Sequence, residues 1–505
     1  MTYKDLNVSR RKFLVGGSAL ASAGLVGCAN VGSLGDDANF ERTLIHGGFI
    51  YSADDAGTVH PNGWVLTRGK EIEAIGPAST PAPRADRMID ARGKMVLPGF
   101  VNPHWHESFV EGPERMAPDD SDLAQMPFSH GGDIEALSSY FGVIADVGEK
   151  LTPQEAIAIA RWSMWTQLRS GTTALGDIGS LNATDAMANA AIDLGMRIRV
   201  SRWGSDIMIP NGATEYKRIA PWEKQAADWD RLMRTWNNHS SGLVGGMPSI
   251  LAAFGSSDEQ LMALKRIADS YGAPYAAHMA PLRNEALALK PIFGHSAIGR
   301  FQKHGLLTGR LLSVHTCHAT IDEYAAIVRA GVNIVYSPAN YALLGEHTIT
   351  DTHMAHQFLR DGVNVSCSTD GNISYTGGMP EAMRALFLMI NESSGDNTAM
   401  SPNAALATGT INGAKALAWG DKIGSLEPGK EADLVIVDID DWRYRLITHP
   451  LSTFLISGGS QDVDSVMVAG KFVVRDGKAV NLNEADMFKA YETAVESART
   501  RIFGA

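Results

Sequence analysis

The chain has 505 residues, of which 45% are hydrophobic, and carries a formal net charge of -12. That apolar content is ample for a large core and for more than one domain. An acidic chain without a basic cluster argues against nucleic acid as a partner.

The first 28 residues read as a targeting signal. Ser9-Arg10-Arg11-Lys12-Phe13-Leu14 sets paired arginines before a moderately apolar stretch, Phe13 to Gly27. This stretch is too short and too rich in Gly and Ala for a convincing membrane span. It resembles a twin-arginine export signal, which carries proteins that are already folded, and it predicts a bacterial periplasmic or cell-envelope location. Leu25-Val26-Gly27-Cys28 resembles a lipobox. Cys28 is therefore the candidate lipidated first residue of the mature protein and a candidate membrane anchor; cleavage nearby without lipid is the plainer alternative. Beyond Cys28 the chain holds only Cys317 and Cys367, both expected to be buried small apolar side chains rather than a disulfide.

Residues 29–41 read as a tether. From Thr43 to Leu97 short strands are broken by Gly and Pro: Thr43–Tyr51, Gly63–Arg68, Glu71–Gly76 and Lys94–Leu97. After Pro98, strands alternate with helices, the pattern of a parallel sheet with crossover helices. Thr152-Pro153-Gln154-Glu155 predicts a capping box opening a helix that Gly171 stops. Strands follow at Thr172–Ile178, Arg197–Trp203, Leu243–Phe254, Pro274–Met279, Arg310–His315, Asn333–Ser337 and Asn364–Thr369. With the strand before His104 they make eight, the count of a (β/α)8 TIM barrel. Trp222, Trp229 and Trp236, spaced by seven, share one helical face; packing on the barrel wall is the default, and a homo-oligomer surface is the alternative. A second β-rich stretch begins near Ile423, with a hairpin at Val463–Val468 and Lys471–Val474. Residues 42–97 and 421–480 are thus expected to form one β-sandwich from both ends of the chain, around a barrel at 98–420, with a C-terminal helix at 481–505.

The most informative local pattern is Pro98-Gly99-Phe100-Val101-Asn102-Pro103-His104-Trp105-His106-Glu107. Alternate strand residues share a face, so His104 and His106 converge and form a chelate for a borderline metal ion, while Trp105 points away into packing. His278 follows Ala273–Ala277, His315 follows Arg310–Val314, and Asp370 follows Val365–Thr369. Each ends an apolar run, and parallel strands bring such ends to one rim. Histidines and a carboxylate suit one divalent metal, Zn²⁺ first and Fe²⁺ second. A bound metal lowers the pKa of its water toward about 7. Asp370 is the candidate base beside that water, able to deliver the proton to a leaving nitrogen, and His315 the candidate orienting or polarising group. His318, three residues beyond His315, faces the other way.

These motifs resemble the amidohydrolase superfamily, in the branch of triazine hydrolases and guanine and cytosine deaminases. Residues 98–106 look like that family's first-strand metal motif, His278 its fifth-strand ligand, Leu306–His318 its sixth-strand segment and Ser368-Thr369-Asp370-Gly371 its eighth-strand aspartate. Thr410–Leu417 and Ile423–Asp438 are similar to the family's return to its sandwich. The resemblance implies one metal on His104, His106, His278 and Asp370. The fourth-strand candidate holds no lysine, which argues against a two-metal site. One departure stands out. Many members carry His-x-x-Glu on the fifth strand, with the glutamate shuttling protons; here the sequence is His278-Met279-Ala280-Pro281. Glu285, seven residues on, is the candidate shuttle if its loop folds back. Glu107 reads as a solvated or supporting group.

The expected activity is hydrolysis of a non-peptide C–N bond, amide-like or amidine-like, in a small organic molecule by metal-activated hydroxide. Alternatives are deamination or dechlorination of a heteroaromatic ring, and an envelope binding protein that has lost turnover. The acidic stretch Glu107–Glu135 reads as a solvated flap; as a cover over the site it would favour a cationic substrate.

Overall fold

In the computed structural model, the residues described are 42–107, 132–179, 181–346, 348–371, 377–445 and 449–503. The export signal, Cys28, the tether and most of the acidic stretch lie outside them. No helix among the described residues is long and apolar enough to cross a membrane.

The chain opens in β-strands because Gly and Pro cut it before any helical period can develop: β1 (Arg42–Tyr51), β2 (Val59–Arg68), β3 (Glu71–Gly76), β4 (Arg87–Asp90) and β5 (Lys94–Pro98). Near the other end come β18 (Leu434–Asp438), β19 (Val463–Val468), β20 (Lys471–Arg475) and β21 (Lys478–Ala479). All nine belong to one sheet, in the order β21-β20-β19-β18-β5-β1-β2-β3 with β4 on β1. The two ends meet where β5 pairs antiparallel with β18, Leu97 opposite Val435 and Val96 opposite Ile436. Ile45, Val65, Val96, Leu434, Ile436 and Phe472 pack into a separate apolar cluster on this sheet. Each such buried apolar side chain contributes about 1.5–3 kcal/mol.

Between the two ends, strands and helices alternate as the pattern predicts. A first parallel sheet holds β6 (Phe100–His106), β7 (Thr172–Asp177), β8 (Arg197–Val200), β11 (Val244–Gly246) and β17 (Asp370–Gly371), in the order β11-β8-β7-β6-β17. A second holds β12 (Ser249–Ala252), β13 (Tyr275–Met279), β14 (Leu311–His315), β15 (Asn333–Tyr336) and β16 (Val365–Cys367), in sequence order. A minor hairpin, β9 (Ile207–Met208) with β10 (Lys217–Arg218), stands apart.

The expected strand Leu243–Phe254 is thus split. Pro248 supplies no N–H, so the ladder breaks there. The adjoining backbone still bonds both ways, Met247 N–H to the Val200 carbonyl at 3.0 Å and Ala276 N–H to the Pro248 carbonyl at 3.2 Å. The eighth strand breaks similarly at Ser368-Thr369. There Ser368 Oγ meets Ser337 Oγ at 2.9 Å, and the Thr369 N–H donates to the Asn102 side chain at 3.3 Å.

The helix Pro153–Arg169 begins with the expected capping box between Thr152 and Glu155, and Gly171 follows it at φ 98°. Arg197, at the start of β8, ties the parallel sheet to the C-terminal segment. Its guanidinium, 1% exposed, holds Asp433 through two bonds of 2.7 and 2.8 Å and also pairs with Glu431. Such a desolvated bidentate pair needs both partners in place.

Candidate metal centre and active site

The strand ends carry the chemistry. His104 and His106 close β6, His278 stands one residue from the end of β13, and His315 closes β14. Asp370 pairs in register with Trp105, and Met279 with His315. Parallel registration therefore brings five side chains from four strands to one rim. The backbone is strained at this rim: Ala280, His315, Thr316 and Asp370 have φ of 44°, 73°, 53° and 60°. Left-handed non-glycine residues cost of order 1–3 kcal/mol each and collect where function demands a special side-chain direction.

His106 Nε2 lies 3.1 Å from His104 Nε2, 3.2 Å from His278 Nε2 and 3.2 Å from Asp370 Oδ1. His104 Nε2 is 2.9 Å from the same oxygen. Ligand atoms of His104, His278, His315 and Asp370 all fall within 4.8 Å of one another. His315 is the outlying member, its Nε2 4.0 Å from Asp370 Oδ2. All five side chains are buried. Three imidazole nitrogens and a carboxylate oxygen crowded to about 3 Å match the edge of a tetrahedron whose centre lies about 2.0–2.1 Å from each corner, the zinc–nitrogen distance. The donor set therefore fits a divalent metal.

The electrostatics agree. Burial lowers the His104 and His278 imidazoles, His278 far below its ordinary value, and pushes His315 down to about 3. They stay neutral, the form that ligates. His278 Nδ1–H donates to the Leu251 carbonyl, which leaves its Nε2 lone pair facing the cluster. Burial alone would raise the Asp370 carboxyl, but His104, His106 and His315 hold it well below its usual range. Its Oδ2 accepts from Asn340 Nδ2 at 3.2 Å.

A second layer escaped the sequence reading. Asn340 and Tyr341 sit on the short helix Pro338–Leu344 just past β15, and the Tyr341 hydroxyl is hydrogen-bonded to His315 Nδ1 at 2.7 Å. Asp177, at the end of β7, is buried, which raises its carboxyl to about 7; the Gly179 N–H donates to it at 2.8 Å. Trp203 tilts over His106 and His278 at ring separations of 5.0 and 6.0 Å, and Phe141 stacks on His278 at 6.3 Å. Trp203, Phe141 and Leu251 line a cavity of about 210 Å³ beside the cluster. Position just beyond a strand end was the one available signal for Asn340, Tyr341 and Trp203.

His318 lies outside the cluster, and Trp105 is buried in the core, 2% exposed. Cys317 and Cys367 are free and buried. Trp229 and Trp236 are buried against the core, with Trp222 half-buried beside Arg266. Glu107 is not solvated: it is 2% exposed and accepts from Ser163 Oγ, because the helix Pro153–Arg169 covers it. Glu285 opens the helix Glu285–Phe293, fully buried, and the charges bearing on it are Arg300 and Glu323. No hydrogen bond among the described residues joins it to the histidine cluster.

The model of the amidohydrolase family matches residues 95–473. A 5'-deoxyadenosine deaminase of Methanosarcina mazei is 27% identical over 461 residues, covering 91% of this chain and 99% of that protein. An adenosine deaminase from Xanthomonas campestris with bound zinc has a similar fold, with a TM-score of 0.78 at 23% identity over 91% of this chain and 98% of that one. An atrazine chlorohydrolase from Arthrobacter aurescens complexed with zinc gives a TM-score of 0.77 at 20% identity, covering 90% of this chain and all of that one (100%).

Proposed function

The chain belongs to the amidohydrolase family, and we propose that it removes an amino group from a heteroaromatic small molecule of nucleoside type. It is a metal-dependent hydrolase of non-peptide carbon–nitrogen bonds. The observation that carries the reading is the buried meeting of His104, His106, His278 and Asp370 at 2.9–3.2 Å. In this reading these four hold one divalent ion, zinc before iron. Such an ion supplies a water of lowered pKa and a positive charge for the developing oxyanion.

The chain's own groups do the rest. Asp370 uses Oδ1 toward the histidines and keeps Oδ2, oriented by Asn340, for the proton of the attacking water. His315, fixed by Tyr341, orients that water or polarises the C–N carbon. Trp203 and Phe141 offer flat apolar faces for a planar ring, which favours a heteroaromatic amine over an aliphatic amide. The adenosine-analogue deaminases among its relatives point the same way.

We read the two parallel sheets as one closed (β/α)8 barrel over about 98–420. The chain passes directly from β11 to β12 and from β16 to β17, and β17 pairs with β6, which supports closure. The nine-stranded sheet is then the sandwich-like domain of residues 42–97 and 421–480, followed by a C-terminal helix. Export through residues 1–28, with lipid on Cys28, is proposed from the paired arginines and Leu25–Cys28.

The test is elemental analysis of the purified protein together with an ammonia-release screen over 5'-deoxyadenosine, 5-methylthioadenosine, adenosine and simple amides and amidines, with and without chelator. Stoichiometric metal and chelator-sensitive ammonia from a nucleoside are expected. Release from amides alone would move the substrate class. A metallated protein silent on every compound would favour a binding role.

A further inference from the structure

Cleaving a C–N bond needs a proton for the nitrogen as it leaves, and the residues just after His278, Met279-Ala280-Pro281, supply no carboxyl. Five other buried carboxyls follow strand ends, Glu107, Asp177, Asp206, Glu285 and Glu346, and Asp206 is held by Arg218 and Ser257. Glu107 is engaged by Ser163 on a covering helix. Asp177 is tied to the Gly179 N–H. Glu285 also lacks a hydrogen-bond partner among the described residues at both carboxyl oxygens, but the charges bearing on it are Arg300 and Glu323 and not Asp370. Glu346 is different.

Glu346 follows the helix Pro338–Leu344, whose Asn340 reaches Asp370 and whose Tyr341 reaches His315. Its N–H donates to the Tyr341 carbonyl at 3.2 Å, which folds it back against that helix. It is 8% exposed, and its Oε2 has no hydrogen-bond partner among the described residues. An unpartnered carboxyl oxygen in such a place is costly unless a ligand or a proton completes it.

We propose that Glu346 is the proton donor of this site, a catalytic carboxyl that protonates the leaving nitrogen. Burial, and then the negative charge of Asp370, raise its carboxyl well above the ordinary range, the direction a proton donor needs. The step balances. Water's oxygen bonds to the carbon and one of its protons passes to Asp370. The C–N electron pair leaves on nitrogen, which takes the Glu346 proton and departs as ammonia. The proton on Asp370 restores Glu346 once product has gone. Two carboxyls with opposed ionisation, one held low and one held high, are the usual division of base and acid.

This rests on the C–N hydrolysis reading above. The test compares the full-length, metal-loaded wild type with Glu346→Gln, Glu346→Asp and Glu285→Gln, using 5'-deoxyadenosine as the probe. Ammonia release by Glu346→Gln should fall about 10²–10⁴-fold in kcat, with metal content unchanged and KM within about threefold, and Glu346→Asp should recover part of it. Infrared difference spectra at neutral pH, wild type minus Glu346→Gln, supply a readout that needs no turnover: the bands of Glu285 and Asp177 are common to both proteins and cancel, and one protonated-carboxyl stretch should remain. The proposal is overturned if Glu346→Gln keeps full kcat, if no such band remains in the difference, or if Glu285→Gln abolishes turnover instead. A wild type that releases no ammonia from any compound refutes the substrate reading, and the infrared band then decides alone whether Glu346 holds a proton.

Discussion

Tyr341 and His315 are hydrogen-bonded at 2.7 Å, hydroxyl to Nδ1, with both side chains buried. Burial also holds the Tyr341 hydroxyl in its neutral form. The imidazole is therefore fixed with Nε2 toward Asp370. Tyr341→Phe should lower kcat about 10–100-fold, the usual effect of removing a partner behind a site histidine, while metal content stays at wild-type level. Loss of metal in this variant would instead make His315 a ligand.

His104 Nε2 touches both Asp370 and His106. His104→Ala should weaken metal binding by more than the about 10–100-fold typical of an outer partner, as measured by competition with a chromogenic chelator. An equally metallated variant would remove the proposed centre.

Arg197 is buried between Asp433 and Glu431. Arg197→Met leaves the buried Asp433 carboxylate without a cation, while Glu431 keeps Lys70 and Lys422, and breaking such a pair costs about 3–5 kcal/mol. The denaturation midpoint should fall accordingly. Metal content at low temperature should not change, since the pair lies at the start of β8 rather than at the rim. A midpoint equal to wild type would show that the link carries no weight.

Burial raises the Glu285 carboxyl from its ordinary value to about 8. Well below the unfolded value both states are protonated, and the group contributes nothing. As pH climbs toward the folded value, the unfolded chain ionises and the folded one does not, so stability drops. The drop is complete above the folded value. Glu285→Gln removes this penalty. Its melting temperature should match wild type near about pH 4 and exceed it at about pH 9, by an amount equivalent to a few kcal/mol. Equal melting curves at both pH values would place Glu285 in water.

Much of the site was legible because strand-end residues announce themselves. An apolar run that stops at His or Asp gives both the strand and the direction of its last side chain, and His104, His106, His278, His315 and Asp370 were all found that way. Strand alternation lets only one of His315 and His318 face inward, and His315 is the one that ends the apolar run Arg310–Val314. Residues that reach the site from helices or loops have no such marker. Asn340, Tyr341 and Glu346 follow Ser337-Pro338, where the period changes from strand to helix, and their approach depends on packing between distant segments. The burial of Glu107 was invisible for the same reason: the helix that covers it begins at Pro153, far along the chain. The short strand Arg87–Asp90 was missed because its one neighbour, β1, supplies what its own composition does not.

The pairing of β5 with β18 also sets a timetable. The ribosome makes Lys94–Pro98 early, yet the partner of that strand exists only after Asp438 has been read. Until then an apolar ribbon containing Met95, Val96 and Leu97 has an open edge, which invites pairing with other chains. Chaperone demand during synthesis should therefore centre on the first hundred residues, and truncations before β18 should aggregate rather than yield a smaller folded enzyme.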